Sequence, residues 1–205
     1  MKKHVVCFGD SNTHGYCAQS EDCADRGDRF NEKERWTCLL GKALGEDYLV
    51  LEEGLSGRTS AFPDPLHESM SGLDSIYSCL MSHEPVDLLI LMLGTNDTKE
   101  RLGVNAACIA LGMERLIQKA KTVDCWGSHA PRILVIAPPP LGEGFHDEIM
   151  GPGCREKSLE IARWFREAAQ AEGCAFLDAA GCEFNSVDHM RLTRRGHAQL
   201  AERVA

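Results

Sequence analysis

No Cys-x-x-Cys pair occurs among the ten cysteines, which removes the spacing used by zinc ribbons and thioredoxin-like redox motifs. No stretch approaches the roughly 18 consecutive apolar residues of a membrane span, so a soluble chain with no membrane partner is expected. Positive charge is in short supply: 22 Lys and Arg stand against 31 Asp and Glu, for a formal net charge of -9. A nucleic-acid surface needs clustered Lys and Arg to displace counterions, so nucleic acid is not an expected partner. Also missing are the G-K-[ST] ending of a P-loop, the G-x-G-x-x-G dinucleotide fingerprint and the G-x-S-x-G elbow of α/β-hydrolases. The opening Met1-Lys2-Lys3-His4-Val5-Val6-Cys7-Phe8 has too short an apolar run for a signal peptide. A cytoplasmic, reduced chain is expected, with most cysteines acting as small core residues.

What is present is an alternation. Short apolar runs bounded by Gly, Pro, Asp and Ser recur between longer amphipathic stretches, the pattern of an α/β fold with a mainly parallel sheet. The 205 residues fit one domain with its own core. Five strands are predicted, over His4–Phe8, Tyr48–Leu51, Leu88–Leu93, Arg132–Ala137 and Ala175–Leu177. The middle ones are apolar on both faces, as a covered parallel sheet requires. Helices are predicted over Glu32–Leu44, Leu73–Ser82, Asn105–Val123, Arg155–Glu172 and Thr193–Val204, each with apolar residues three and four apart. Cys17–Asn31 and Leu141–Gly153 lack periodicity and read as rim loops long enough to touch a substrate.

In an open parallel sheet the ligand crevice lies beyond the carboxyl ends of the strands. Here strand one runs into Gly9-Asp10-Ser11-Asn12, strand two into Glu53-Gly54-Leu55-Ser56-Gly57-Arg58-Thr59, and strand three into Gly94-Thr95-Asn96-Asp97. The turn before the last helix adds Asp188-His189-Met190-Arg191. Ser11 occupies a strand-to-helix turn where a hydroxyl can be exposed and a neighbouring N–H can face an oxyanion; a helix-capping serine would look the same. Gly57 permits close backbone approach and Asn96 offers two N–H donors, although each also reads as an ordinary turn residue. With the Ser11 amide they would make a three-donor oxyanion hole.

These four loops resemble the four sequence blocks of the SGNH (GDSL) hydrolases. Cys7-Phe8-Gly9-Asp10-Ser11, Glu52-Glu53-Gly54-Leu55-Ser56, Met92 to Lys99 and Pro138-Pro139-Pro140-Leu141 are similar to the bacterial arylesterase and acyltransferase branch of that family. The resemblance implies a three-layer α/β/α sandwich of flavodoxin type around a five-stranded, mainly parallel sheet. It implies a Ser-His-Asp triad with no metal and no cofactor, small-molecule short acyl esters as substrates, and a homo-oligomer. Carried over residue by residue, it gives Ser11 as nucleophile, Ser11, Gly57 and Asn96 as oxyanion donors, and Asp188 as the triad acid. Trp36, in the Arg35-Trp36-Thr37 run, is expected to pack or shape the site.

One position departs. The family reads Asp-x-x-His in the last block, whereas this chain reads Asp188-His189-Met190-Arg191. An arginine has no acceptor and stays protonated, so it cannot take the Ser11 proton. Among the other histidines, His189, His197 and His14 are candidates for a stand-in base, His189 first although it should project in a different direction from residue 191, and His67 and His129 read as surface residues. Loss of one triad member leaves only about 10³ to 10⁴ over water, from the oxyanion hole and binding, so turnover is expected to be low. Arg191 is expected to pair with Asp188 and to offer a cationic contact to a carbonyl or carboxylate. The competing reading is a non-catalytic protein that binds acylated or carboxylated small molecules in the same cleft. Metal-dependent phosphate-ester hydrolysis is weaker, because His146-Asp147-Glu148 is the nearest candidate ligand cluster and reads as a solvated loop.

Overall fold

The computed structural model describes residues 1–205. Five strands form one sheet: β1 (Lys3–Gly9), β2 (Tyr48–Gly54), β3 (Leu88–Met92), β4 (Ile133–Ala137) and β5 (Ala175–Asp178). They lie in the order β2-β1-β3-β4-β5, every pair parallel. The longer helices are α2 (Trp36–Leu44), α3 (Gly72–Ser82), α4 (Ala106–Lys121), α5 (Cys154–Ala171) and α6 (Arg194–Val204); α1 (Ser11–His14) is a single turn.

Strand periodicity sorts the core into two layers. Val6 and Phe8 of β1, with Leu89 and Leu91 of β3 and Val135 of β4, pack against α3, α4 and α5 through Ile76, Leu80, Met113, Leu116 and Phe165. Their neighbours Val5, Cys7, Ile90, Met92 and Ile136 face the other way, onto Trp36 and Leu40 of α2 and Leu200 of α6. The result is the expected α/β/α sandwich. Trp36 is fully buried in the second layer, so it packs.

The expected elements recur, with differences at their ends. Asn105 and Thr193 cap α4 and α6, their side chains accepting the amides of Cys108 and Gly196. The helix expected from Glu32 begins only at Trp36, because the buried Glu34 carboxylate turns inward to accept the amides of Ala24 and Asn31. β2 runs on through Glu52, Glu53 and Gly54, paired to the end of β1. All ten cysteines are free, six of them buried. No helix is long and apolar enough to cross a membrane.

The chain moves from β1 outward to β2 and then back across to β3, so the strand order reverses between β1 and β3. That switch point opens a crevice at the carboxyl ends of the two strands. Ser11 follows β1 and Asn96 begins the turn after β3, so the two flank it.

Candidate active site

Ser11 is the first residue of α1, whose N-cap Asp10 accepts the Asn12 amide at 2.9 Å. The turn is seated by Gly54: a Cβ there would lie 2.1 Å from the His14 backbone nitrogen, so only glycine lets β2 end this close to α1. Ser11 is almost fully buried. The first amides of a helix have no intrahelical acceptor, which leaves the Ser11 N–H available as a donor.

Gly57 follows on the β2 side with φ of +93°, a conformation that favours glycine. The next residue, Arg58, organises the turn. Its guanidinium is buried, stacks 4.0 Å from the centroid of the Phe8 ring, and donates Nη1 to the carbonyls of Gly9 and Glu53. Its own carbonyl accepts Asn96 Nδ2 at 3.2 Å, and the Leu55 amide donates to the Gly9 carbonyl. The loops after β1, β2 and β3 are thus bonded to one another. With one Asn96 amide hydrogen held by Arg58, the other is oriented by default. Asp97 is fully buried beneath, accepting the Ser60 amide and hydroxyl, and burial raises its carboxyl to about 6.

The turn before α6 reaches the same crevice through Asn12, whose Oδ1 accepts the Leu192 amide at 2.9 Å. Asp188 Oδ1 accepts the amides of Met190 and Arg191 and the side chain of Asn185, while Oδ2 accepts Arg191 Nη1 at 2.7 Å. Burial works to raise the Asp188 carboxyl, but the Arg191 side chain and amide outweigh it and hold it below the usual carboxylate value. Arg191 also lies 4.8 Å over the Tyr16 ring, and its Nε is buried with no partner. The expected ion pair is therefore formed. Asp10 lies within range of the same guanidinium, yet burial dominates and lifts its carboxyl to about 6.

The histidines near the site in sequence sit in distinct surroundings. His197 is fully buried against Phe30, accepts the Trp36 amide on Nδ1 at 3.3 Å, and is pushed down by burial to about 3. His189, at φ of +53°, turns its ring onto the 142–144 backbone, where a Cβ on Gly144 would be 2.3 Å from Nε2. Burial and the Arg29 guanidinium hold the His14 imidazole below its usual value. His129 is exposed beside Asp87. His67 is exposed too, but its ring lies next to Gly57, 3.5 Å from where a Cβ would stand, with Nδ1 3.4 Å from Asp64. That neighbour of Gly57 was not legible in the sequence, nor were the roles of Arg58, Asn12 and Tyr16. A surface pocket runs along the 143–156 loop past His146 and Arg155 and takes in none of the residues at the crevice.

The sequence profile of the GDSL-like lipase/acylhydrolase family matches residues 7–200. The chain belongs to that family. Among solved structures, an aryl esterase of M. smegmatis is 38% identical over 98% of both chains with a TM-score of 0.87. A carbohydrate acetylesterase from Sinorhizobium meliloti is 33% identical over 99% of this chain and 96% of that one, with a TM-score of 0.88. A lipolytic protein of the G-D-S-L family from Veillonella parvula, at 16% identity over 98% and 96% of the two chains, shares the fold with a TM-score of 0.69. No curated protein sequence matches. Esterase and acylhydrolase chemistry is the class to which this GDSL site belongs.

Proposed function

We propose that the protein is a serine esterase or acyltransferase for short acyl, acetyl-type esters of aryl or alkyl alcohols, working through a Ser11 acyl-enzyme and impaired by Arg191. In this scheme Ser11 Oγ attacks the acyl carbon while the amides of Ser11 and Gly57 and the Asn96 side chain hold the developing oxyanion. Water or an alcohol then takes the acyl group. The Oγ proton must leave as the bond forms, and residue 191 is the position from which the family's base would accept it. A guanidinium pinned to Asp188 cannot. The observation that carries the reading is the Asp188–Arg191 pair at 2.7 Å beside an otherwise intact nucleophile turn. The acid that would orient an imidazole is present, ionised and already engaged.

The test is hydrolysis of an aryl acetate by the chain as it stands, by Arg191→His, and by Ser11→Ala as blank. Restoring the imidazole is expected to raise kcat/KM by at least about 10²-fold, since a positioned general base contributes about 10² to 10⁴. If neither protein exceeds the blank, the esterase reading falls. A second reading is then favoured by the buried, unpartnered Nε of Arg191: a binding protein whose guanidinium holds a carboxylated ligand. Labelling of Ser11 by an organophosphonate separates the two, because only the enzyme requires a reactive serine.

A further inference from the structure

Glu53 carries two different connections. Its carbonyl accepts Arg58 in the crevice, while its side chain points away toward the end of α3. There Cys79 lies on the last turns of the helix and His83 is its C-cap residue. Four residues apart, they stand one helical turn from each other on the same face. His83 Nε2 and Glu53 Oε1 are 2.7 Å apart, and the His83 carbonyl is itself held by His4 Nδ1 at 2.8 Å. One carboxylate oxygen, one thiol sulfur and one imidazole nitrogen all lie within 4.8 Å of one another.

That spacing is close to what a metal ion requires. Tetrahedral zinc, bonded at about 2.0 to 2.3 Å, sets its ligand atoms about 3.3 to 3.8 Å apart, a little inside the 4.8 Å within which the three atoms lie here. The donor set also has chemical preferences. Magnesium and calcium take oxygen ligands, whereas one sulfur, one imidazole and one carboxylate favour a borderline ion of the zinc class. Glu53 and His83 are partly open to solvent while the Cys79 sulfur is buried, so an ion would reach the site from the Glu53–His83 side.

We propose that Glu53, Cys79 and His83 form a three-ligand site for a divalent transition metal of the zinc class, clipping the end of β2 to the end of α3. Loading is an exchange and needs no oxidant. The Cys79 S–H bond breaks, its electron pair becomes the metal–sulfur bond, and the proton leaves to solvent. The His83–Glu53 hydrogen bond opens, and the imidazole moves its remaining proton to Nδ1 so that Nε2 can ligate. The carboxylate and thiolate together offset the two charges of the ion, and the Arg58 guanidinium is close enough to act on the Cys79 thiol. In the metal-free chain, burial and Glu53 push the Cys79 thiol up to about 12, so it waits protonated.

The experiment is titration of the full-length, chelator-stripped chain with Co²⁺ in a phosphine reductant, followed by competition with Zn²⁺. One equivalent is expected to bind with a thiolate-to-cobalt charge-transfer band, and Zn²⁺ is expected to bleach it. Cys79→Ser is expected to abolish the band, His83→Gln and Glu53→Gln to weaken affinity at least tenfold, and Ser11→Ala to change nothing. No band in the parent chain would overturn the proposal. So would a band that survives Cys79→Ser, because another of the ten cysteines would then be the ligand. Should Cys79→Ser fail to fold, His83→Gln decides alone, and unchanged affinity there overturns the site.

Discussion

The two sides of the crevice are held by different means. On one, the loops after β1, β2 and β3 are bonded to each other through Arg58, Gly9, Leu55 and Asn96, with Asp97 and Ser60 locked beneath. On the other, the turn before α6 is bonded mainly to itself, since Asp188 collects Asn185, Met190 and Arg191. In the proposed mechanism the first side presents donors to a substrate. The second spends its carboxylate on an internal ion pair. If the proposed mechanism holds, the contrast makes preorganisation and proton transfer separable in this fold, because the two sides meet through the Asn12–Leu192 bond and the Arg191–Tyr16 stack and not through the proposed oxyanion donors.

Breaking the second side should therefore have consequences only where a base is present. Asp188→Asn placed on Arg191→His is expected to lower kcat by about 10⁴, the cost of losing the group that orients a triad imidazole. In the parent chain the same change is expected to leave the low rate within about twofold. Steady-state kinetics on both backgrounds checks this, and an equal drop in both would mean that Asp188 serves the chemistry without an imidazole. The restored enzyme's kcat/KM should also rise with pH through the imidazole range near 6.5, whereas the parent's should not.

Breaking the first side should come next in size. Asn96→Ala on the Arg191→His background removes one oxyanion donor and is expected to cost about 10² to 10³ in kcat with little change in KM. A loss confined to KM would show that Asn96 binds ground-state substrate and would blur the distinction between the two sides.

Much of the fold was legible because a covered parallel sheet leaves its mark on each strand separately. Leu88–Met92 and Ile133–Ala137 are apolar on both faces, and Asn105 and Thr193 are capping residues ahead of amphipathic runs. What escaped was whatever depends on a partner far along the chain. Glu34 looks like a helix-face acid until Ala24 and Asn31 turn toward it. α1 has only four residues and so no periodicity to read. At the crevice, Ser11, Gly57, Asn96 and Asp188 stood out by their motifs, and Arg191 by its departure from one. Arg58 and Asn12 carried no such signal, because their partners lie 49 and 180 residues away. An arginine four residues beyond the end of β2, in the turn into the crevice, is the one hint that could have been weighed.

The seat of α1 offers a stability test of the ordered side. Gly54→Ala drives a methyl to 2.1 Å from the His14 nitrogen, an overpacking that typically costs about 1 to 3 kcal/mol. For a chain of this size that lowers Tm by roughly 2 to 12 °C. Ser11 labelling should fall with it, because α1 carries the proposed nucleophile. A Tm loss with labelling intact would show that the β1 loop holds Ser11 without its seat on β2.

The smallest effect lies at the outer edge of that same strand. Arg35 donates to both oxygens of Glu52 at 2.8 Å and Thr37 adds a third bond, so two sequence blocks that look catalytic by their company are joined as a structural clamp. Burial works to raise the Glu52 carboxyl, but the bonds from Arg35 and Thr37 prevail and bring it down to about 2. Between that value and the unfolded one near 4.3, the native state binds fewer protons than the unfolded chain, so the clamp's stabilisation is complete above pH 5 and is lost as pH falls toward 2. The pair is partly open to solvent, which trims its worth to about 1 kcal/mol. Glu52→Gln is accordingly expected to lower Tm by about 2 to 4 °C at pH 7, with the two melting curves converging on acidification. A gap that stayed constant down to pH 3 would mean that the clamp acts through shape and hydrogen bonding alone. The ordered side of the crevice would then owe nothing to charge at its β2 edge.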